Sequence, residues 1–284
     1  MCNKTSRAHS DTGLDDRSKY LRRLVIRAFE GGSRGHLGSS MSLIEIMRVL
    51  YDDWLNYDVN DPNWSDRDRF ILSKGHGCLA QYAMLADKGF IELSDLDQFC
   101  HPTGILGGHP ERNKIPGIEA STGALGHGLS IGVGMAIAAK SMTKLHNVVV
   151  ITGDGEINEG SIWEAAMSAS KHRLSNLVWM IDYNKLQSYG LTSEVLDLEP
   201  LGDKLQSFGF NVQNIDGHKL DQIKQALMST KTQRKKPNAI ICNTIKGKGF
   251  PFAEQNPGWH HKAKLSAEEI QLMYECVSER SQNA

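Results

Sequence analysis

The stretch Val148-Val149-Val150-Ile151-Thr152-Gly153-Asp154-Gly155-Glu156-Ile157-Asn158-Glu159-Gly160 constrains the fold more than any other. Four β-branched apolar residues in a row suit a strand buried on both faces, as in a parallel sheet. The run stops at an aspartate between two glycines, which let a ligand or another backbone approach without a Cβ in the way. A second apolar run, Leu177 to Ile181, ends in Asp182-Tyr183-Asn184-Lys185-Leu186-Gln187, and Ile162 to His172 between them has helical spacing. Together they read as one β-α-β unit of a doubly wound α/β fold, a mainly parallel sheet flanked by helices. In such folds ligands bind at the carboxyl edge of the sheet, close to helix N-termini whose free N–H groups favour anions.

Adjacent parallel strands would bring Asp154 and Asn184 to that edge together. A carboxylate, an amide oxygen and a backbone carbonyl make a hard ligand set suited to Mg²⁺ or Ca²⁺ shared with a phosphate. A turn aspartate or a turn asparagine alone is common in any α/β protein. An oxygen ligand at the end of each of two successive strands is more informative.

These residues, Gly153-Asp154-Gly155-Glu156 followed by Asn184, resemble the thiamine diphosphate motif, whose Asp and Asn hold the metal that anchors the cofactor. Five further segments resemble transketolase segments in the family's order: Arg34 to Ser40, Leu72 to Gly77, Gly107 to Glu111, Thr122 to Gly128, and Trp259-His260-His261. Ordered matches are more specific than any single motif. The resemblance is to the N-terminal, diphosphate-binding domain of transketolase and covers residues 14–277, with short tails at 1–13 and 278–284.

The resemblance implies roles residue by residue. His36, His109 and His261 match the histidines that face the substrate and move its protons, with His260 as the fallback for His261. His76, Gly123, Ala124, Leu125, Gly153, Asp154, Gly155, Glu159, Asn184 and Ile245 match positions that contact the cofactor. Asp154, Asn184 and the Leu186 carbonyl match the metal shell, for Mg²⁺ with Ca²⁺ or Mn²⁺ as alternatives. His127 stands where the family usually has glutamine. On local pattern alone His36 is a loop histidine and His76 a helix-capping one; only the family match gives them chemistry.

Composition adds exclusions. With 284 residues and 40% hydrophobic content the chain can bury a large single core. Its net charge of −1 gives no reason to expect nucleic acid or a membrane surface as partner. The basic run Lys231, Arg234, Lys235 and Lys236 reads as a solvated face. Five widely spaced cysteines without a CxxC pair fit free thiols in a reducing compartment, and no apolar run reaches the ~18 residues of a membrane span, so a cytoplasmic protein is expected.

Full-length transketolases continue into a pyrimidine-binding domain and a third domain. The expectation is therefore the N-terminal subunit of a split transketolase, working with a separately encoded C-terminal subunit in an α₂β₂ heterotetramer. It would transfer a two-carbon ketol unit from a ketose or ketose phosphate to an aldose. A related thiamine diphosphate-dependent synthase half-enzyme and a non-catalytic scaffold homologue are the alternatives. A nicotinamide-binding Rossmann protein would need a GxGxxG turn after an early strand, which is missing.

Overall fold

A computed structural model describes residues 13–188 and 190–278. The expected tails at 1–13 and 278–284 lie outside the described residues except for Gly13 and Ser278. In chain order the elements are α1 (Asp16–Gly32), α2 (Leu37–Met41), α3 (Ile44–Val49), β1 (Arg69–Leu72), α4 (Cys78–Lys88), α5 (Gly128–Ser141), β2 (Val148–Gly153), α6 (Gly160–Lys171) and β3 (Leu177–Tyr183). Then follow α7 (Thr192–Val195), α8 (Leu201–Ser207), β4 (Asn211–Asp216), α9 (Leu220–Thr230), β5 (Asn238–Asn243) and α10 (Ala267–Cys276).

The sheet has five strands in the order β1-β2-β3-β5-β4, and every pairing is parallel. The chain steps outward from β1 to β3, jumps to the edge as β4, and returns inward as β5. Right-handed crossovers then place the helix of the return step on the opposite face. Residues of α9 accordingly join one buried cluster, with α1, α3, α4 and α10, while residues of α5, α6 and α8 join the other. Alternation along the strands feeds both clusters. Val149, Ile151, Val178 and Met180 go to the first, and Val148, Val150, Trp179 and Ile181 to the second. The continuous apolar runs in the sequence are the direct result, since neither face of β2 or β3 meets water.

The sequence pattern reads 34–40 as a loop, a helix from Met41, a strand from Phe208 and a last helix opened by a capping box at Ser266 and Glu269; the structure departs from the first three. Residues 34–40 were expected as loop, yet α2 begins at Leu37, because Leu37 and Met41 are fully buried and hold that turn against the core. The helix expected from Met41 breaks at Ser42 and Leu43, restarts as α3, and continues through a π-helical turn to Trp54. The strand expected from Phe208 starts only at Asn211, because Gly209 at φ +90° ends α8 in a left-handed turn. The last helix has the expected capping box between Ser266 and Glu269. Lys231, read as solvated, lies over the Trp54 ring at 4.9 Å. Cys78, Cys100, Cys242 and Cys276 are free thiols.

Helix α5 approaches β2 closely through its small residues. A Cβ on Gly132 would come 2.4 Å from Val150 Cγ2, whereas one on Gly134 would meet nothing within 4 Å. Gly132→Ala should therefore overpack the α5–β2 contact and cost about 1–3 kcal/mol. Gly134→Ala should be neutral or stabilising by up to about 1 kcal/mol through helix propensity. Urea unfolding of the two variants checks this, and equal effects of either sign would refute the packing argument.

Candidate active site at the carboxyl edge of the sheet

The ends of β1, β2, β3 and β5 converge on one space. After β2 the chain turns at Asp154, whose Oδ1 accepts from Gly155 N at 2.7 Å and Oδ2 from Lys185 N at 2.5 Å. Asn184 follows β3, and its Oδ1 accepts from Leu186 N at 3.1 Å. Between them Lys185 sits at φ +63°, a left-handed conformation that is unfavourable for a side chain of this kind. That turn gathers the Asp154 carboxylate, the Asn184 amide oxygen and the Leu186 carbonyl, which accepts from Lys246 Nζ at 2.7 Å.

Beneath these groups lies Asp182, with no exposure. It accepts from Lys74 Nζ at 2.5 Å, from Ser42 Oγ at 2.7 Å and from Thr244 Oγ1. Burial acts to raise its pKa, but Lys74 and the two hydroxyls prevail and hold it below the usual carboxylate range. Asp154 goes the other way. Burial first, then the negative charge of Asp182, push its carboxyl up to about 6, because its bonds come from backbone N–H groups and not from a basic side chain. A cation placed at Asp154 would reverse that penalty.

The residues present fit a divalent ion shared with a polyanion. Among the described residues no group of three or more His, Cys, Asp or Glu side chains could hold a metal unaided, so a cation here needs neutral oxygens and oxygens of its ligand. Buried Lys246 has its pKa lowered to about 8, by burial and then by Lys74. Thr122 Oγ1, Gln187 Nε2 and His260 Nδ1 are buried polar atoms without a partner around the same space. Three glycines mark close backbone approach there: a Cβ on Gly75 would meet Gly123 N at 2.7 Å, one on Gly155 the Gln187 side chain at 3.0 Å, and one on Gly123 the His109 ring at 2.8 Å.

Histidines form the other half of the site. His36, the residue just before α2, has ring-centroid distances of 4.7 Å to His261, 5.3 Å to His260, 5.4 Å to His76 and 6.4 Å to His109. Two backbone bonds between Gly35 and Lys262, each 2.9 Å, bring the His36 and His261 segments together. Burial lowers the pKa of His36 to about 3 and of His260 to about 4, with neighbouring histidines and Lys246 contributing. Burial and Lys74 likewise depress His76, and burial alone depresses His109. These rings are neutral near pH 7, so each can donate at one nitrogen and accept at the other.

The remaining expected positions are distributed around this centre. Leu125 and Glu159 are exposed, and the Ile245 N–H is bound to His218 Nε2 at 2.8 Å, one residue before Lys246. His127 is exposed just before α5. His260 and His261 both reach His36; only His260 also approaches His76, at 5.8 Å.

The profile of the family described as transketolase, thiamine diphosphate binding domain, matches residues 15–279. The chain belongs to the transketolase family. It is 42% identical to the 6-deoxy-6-sulfo-D-fructose transketolase subunit of Clostridium sp. (strain MSTE9), over 90% of this chain and 92% of that one. It is 41% identical to an apulose-4-phosphate transketolase subunit of Actinobacillus succinogenes, over 92% and 95% respectively. The solved transketolase from Leishmania mexicana superposes with a TM-score of 0.86 at 31% identity, covering 92% of this chain but 41% of that chain.

Within this transketolase domain several site residues escaped the sequence reading. Lys74 and Asp182 stood inside quoted motifs, but their ion pair joins the ends of β1 and β3 and no spacing announces it. Glu156 was quoted as a motif letter only. Its carboxylate is buried and accepts from Ser73 Oγ, from Gly126 N at 2.9 Å and from Gly153 N at 3.1 Å, tying the glycine-rich loop to β2. Lys246 carried one signal, a lysine between glycines and a strand end.

The depressed histidines make a stability prediction. A group whose folded pKa lies below its unfolded value of 6.5 resists protonation only in the folded state. Its contribution is present above pH 6.5 and is lost as pH falls toward the folded values of about 3 and 4. The melting temperature of the cofactor-free chain should drop between pH 6.5 and 4.5, and His36→Asn should make that dependence shallower. A wild-type slope retained in the variant would exclude His36 as a source.

Proposed function

We propose that the chain is the diphosphate-binding subunit of a two-polypeptide transketolase, moving a two-carbon ketol unit from an anionic ketose to an aldose acceptor. The observation that carries it is the pairing of an oxygen-rich anchor, Asp154, Asn184 and the Leu186 carbonyl, with a group of imidazoles around His36. The relatives named for transketolase subunits act on a sulfonated and a phosphorylated sugar, which supports an anionic substrate.

When bound, thiamine diphosphate supplies a nucleophilic carbon and an electron sink for breaking a carbon–carbon bond. The chain's own residues anchor and orient. Asp154, Asn184 and the Leu186 carbonyl would hold Mg²⁺, and Lys246 and His76 would meet the diphosphate oxygens from the buried side. His36, His109 and His261 would hydrogen-bond the ketose oxygens. One of them accepts the hydroxyl proton as the bond to its carbon breaks, and neutral rings are the form able to do so.

A second polypeptide would cover the open side of this pocket. Leu125 is 36% exposed beside the site, Ile131 (38%) on α5 and Met167 (55%) on α6 are exposed, and so is Met142 (62%) just after α5. Exposed apolar side chains beside a site support an association surface there. We propose an α₂β₂ assembly with a separately encoded pyrimidine-domain subunit.

Two tests follow. Asp154→Ala and Asn184→Ala should each abolish Mg²⁺-dependent binding of thiamine diphosphate measured by calorimetry; wild-type affinity in both would remove the metal assignment. His261→Ala should lower turnover ~10²–10⁴-fold at unchanged cofactor affinity, the range for general acid–base groups, and the same loss in His260→Ala instead would move the role to that ring. Ketol transfer should also require the second polypeptide. Full activity of this chain alone, with Mg²⁺, thiamine diphosphate and a panel of ketose phosphates, would overturn the two-component reading.

A further inference from the structure

His218 lies outside every motif singled out in the sequence, yet it touches the segment that delivers Lys246. It follows β4, and Gly217 before it allows the close approach: a Cβ there would stand 2.5 Å from Thr244 Cγ2. The Ile245 N–H donates to His218 Nε2 at 2.8 Å, so that nitrogen is the acceptor and the proton is on Nδ1. Nδ1 in turn donates to Glu45 Oε2 at 2.9 Å. Glu45, from α3, is almost fully buried and takes two bonds from the fully buried Arg22 of α1, at 2.6 and 3.1 Å. Arg22 then reaches past Glu45 and donates through Nε to the Lys248 carbonyl at 3.0 Å.

The network thus grips the chain on both sides of Lys246, at Ile245 N through His218 and at Lys248 O through Arg22. Between those grips the Lys246 Nζ is delivered to the Leu186 carbonyl at 2.7 Å. Arg22 and Glu45 are buried, the His218 side chain is only 11% exposed, and all three are hydrogen-bonded, which is the condition under which a polar network specifies one geometry.

We infer that His218 is a positioning residue, which with Glu45 and Arg22 fixes the segment from Ile245 to Lys248 so that the Lys246 ammonium is aimed at the anionic end of the cofactor. What Lys246 meets there rests on the function proposed above; its placement by His218 does not, and the two are separable by experiment.

Ligand-free acylation of the full chain with an amine-selective reagent, read lysine by lysine by mass spectrometry, tests the placement. Exposed Lys224 reports the reagent and buried Lys74 reports global loosening. His218→Leu should raise the Lys246 rate about tenfold, the factor that an N–H left without an acceptor typically costs, with Lys74 still protected. His218→Gln, which can accept from Ile245 N and donate to Glu45, should stay near wild type. If His218→Leu does not fold, His218→Asn, too short to span both partners, replaces it with the same expectation. Unchanged Lys246 protection, or Lys74 opening in parallel with it, would overturn the inference.

A thiamine diphosphate titration with Mg²⁺ forms the second arm. Lys246→Met should weaken binding, His218→Leu should weaken it less, and the double variant should match Lys246→Met alone, because the two act through one group. Additive losses would show that His218 acts elsewhere. Wild-type affinity in Lys246→Met would instead count against the cofactor reading of the site and leave the acylation result standing.

Discussion

The buried contact between Lys74 and Asp182 is the interaction on which the site depends. It joins the carboxyl ends of β1 and β3 across the intervening β2, and Ser42 and Thr244 complete the carboxylate's shell from the start of α3 and the end of β5. Four chain segments are therefore held at one carboxylate. Removing one member of such a pair is costly, about 3–5 kcal/mol, because the other is left charged and dry. Its second consequence is electrostatic. Burial first, and then the Asp182 charge, raise the pKa of Asp154, so the carboxylate at the proposed ligand site is short of compensation while Asp182 has Lys74 and two hydroxyls.

Positive charge is distributed with the same asymmetry. Lys74 is paired within the protein, whereas Lys246 has only a carbonyl, and burial lowers its pKa to about 8. Both ammonium groups disfavour protonation of the nearby histidines, as do the histidines among themselves. Burial is the first cause of the depressed His36, His76 and His260, and the anchor's lysines add to it. Lys246, which would favour a polyanion in the proposed site, thus adds to burial in keeping His36 and His260 neutral.

Some of this was legible in the sequence for a physical reason. Val148 to Ile151 and Leu177 to Ile181 are apolar on both faces because the sheet is covered on both faces, so the strands and the residues just past their ends could be placed from pattern alone. Asp154 and Asn184 met because parallel neighbours put their carboxyl ends together. Lys74 with Asp182, Glu45 with Arg22, and His218 with Ile245 were not legible, since each contact joins elements whose adjacency is decided by the winding order of the sheet. The jump from β3 to the edge as β4 is what sets His218 beside the end of β5, and no local spacing encodes that jump. The His260–His261 pair shows a different limit: adjacent residues in a loop both reach His36, at 5.3 and 4.7 Å, and spacing to the next helix cannot rank them.

The two ends of the site also differ in their exposure to water. Asp154, Asn184, Lys74, Asp182 and Lys246 are all buried, so the anchoring end sits in a low-dielectric environment where fixed charges act strongly. His109, His261, Leu125 and Glu159 are exposed, so the reacting end is open. A carbanionic reaction run in that open half would be quenched by solvent protons, and hydrogen bonds aimed at a substrate there would compete with water. Among the described residues His109 and His261 remain exposed, so under the proposed function excluding water from the reacting end needs a further surface over them. On the function proposed above, anchoring would be a property of this chain and turnover a property of its complex with whatever closes the histidine side.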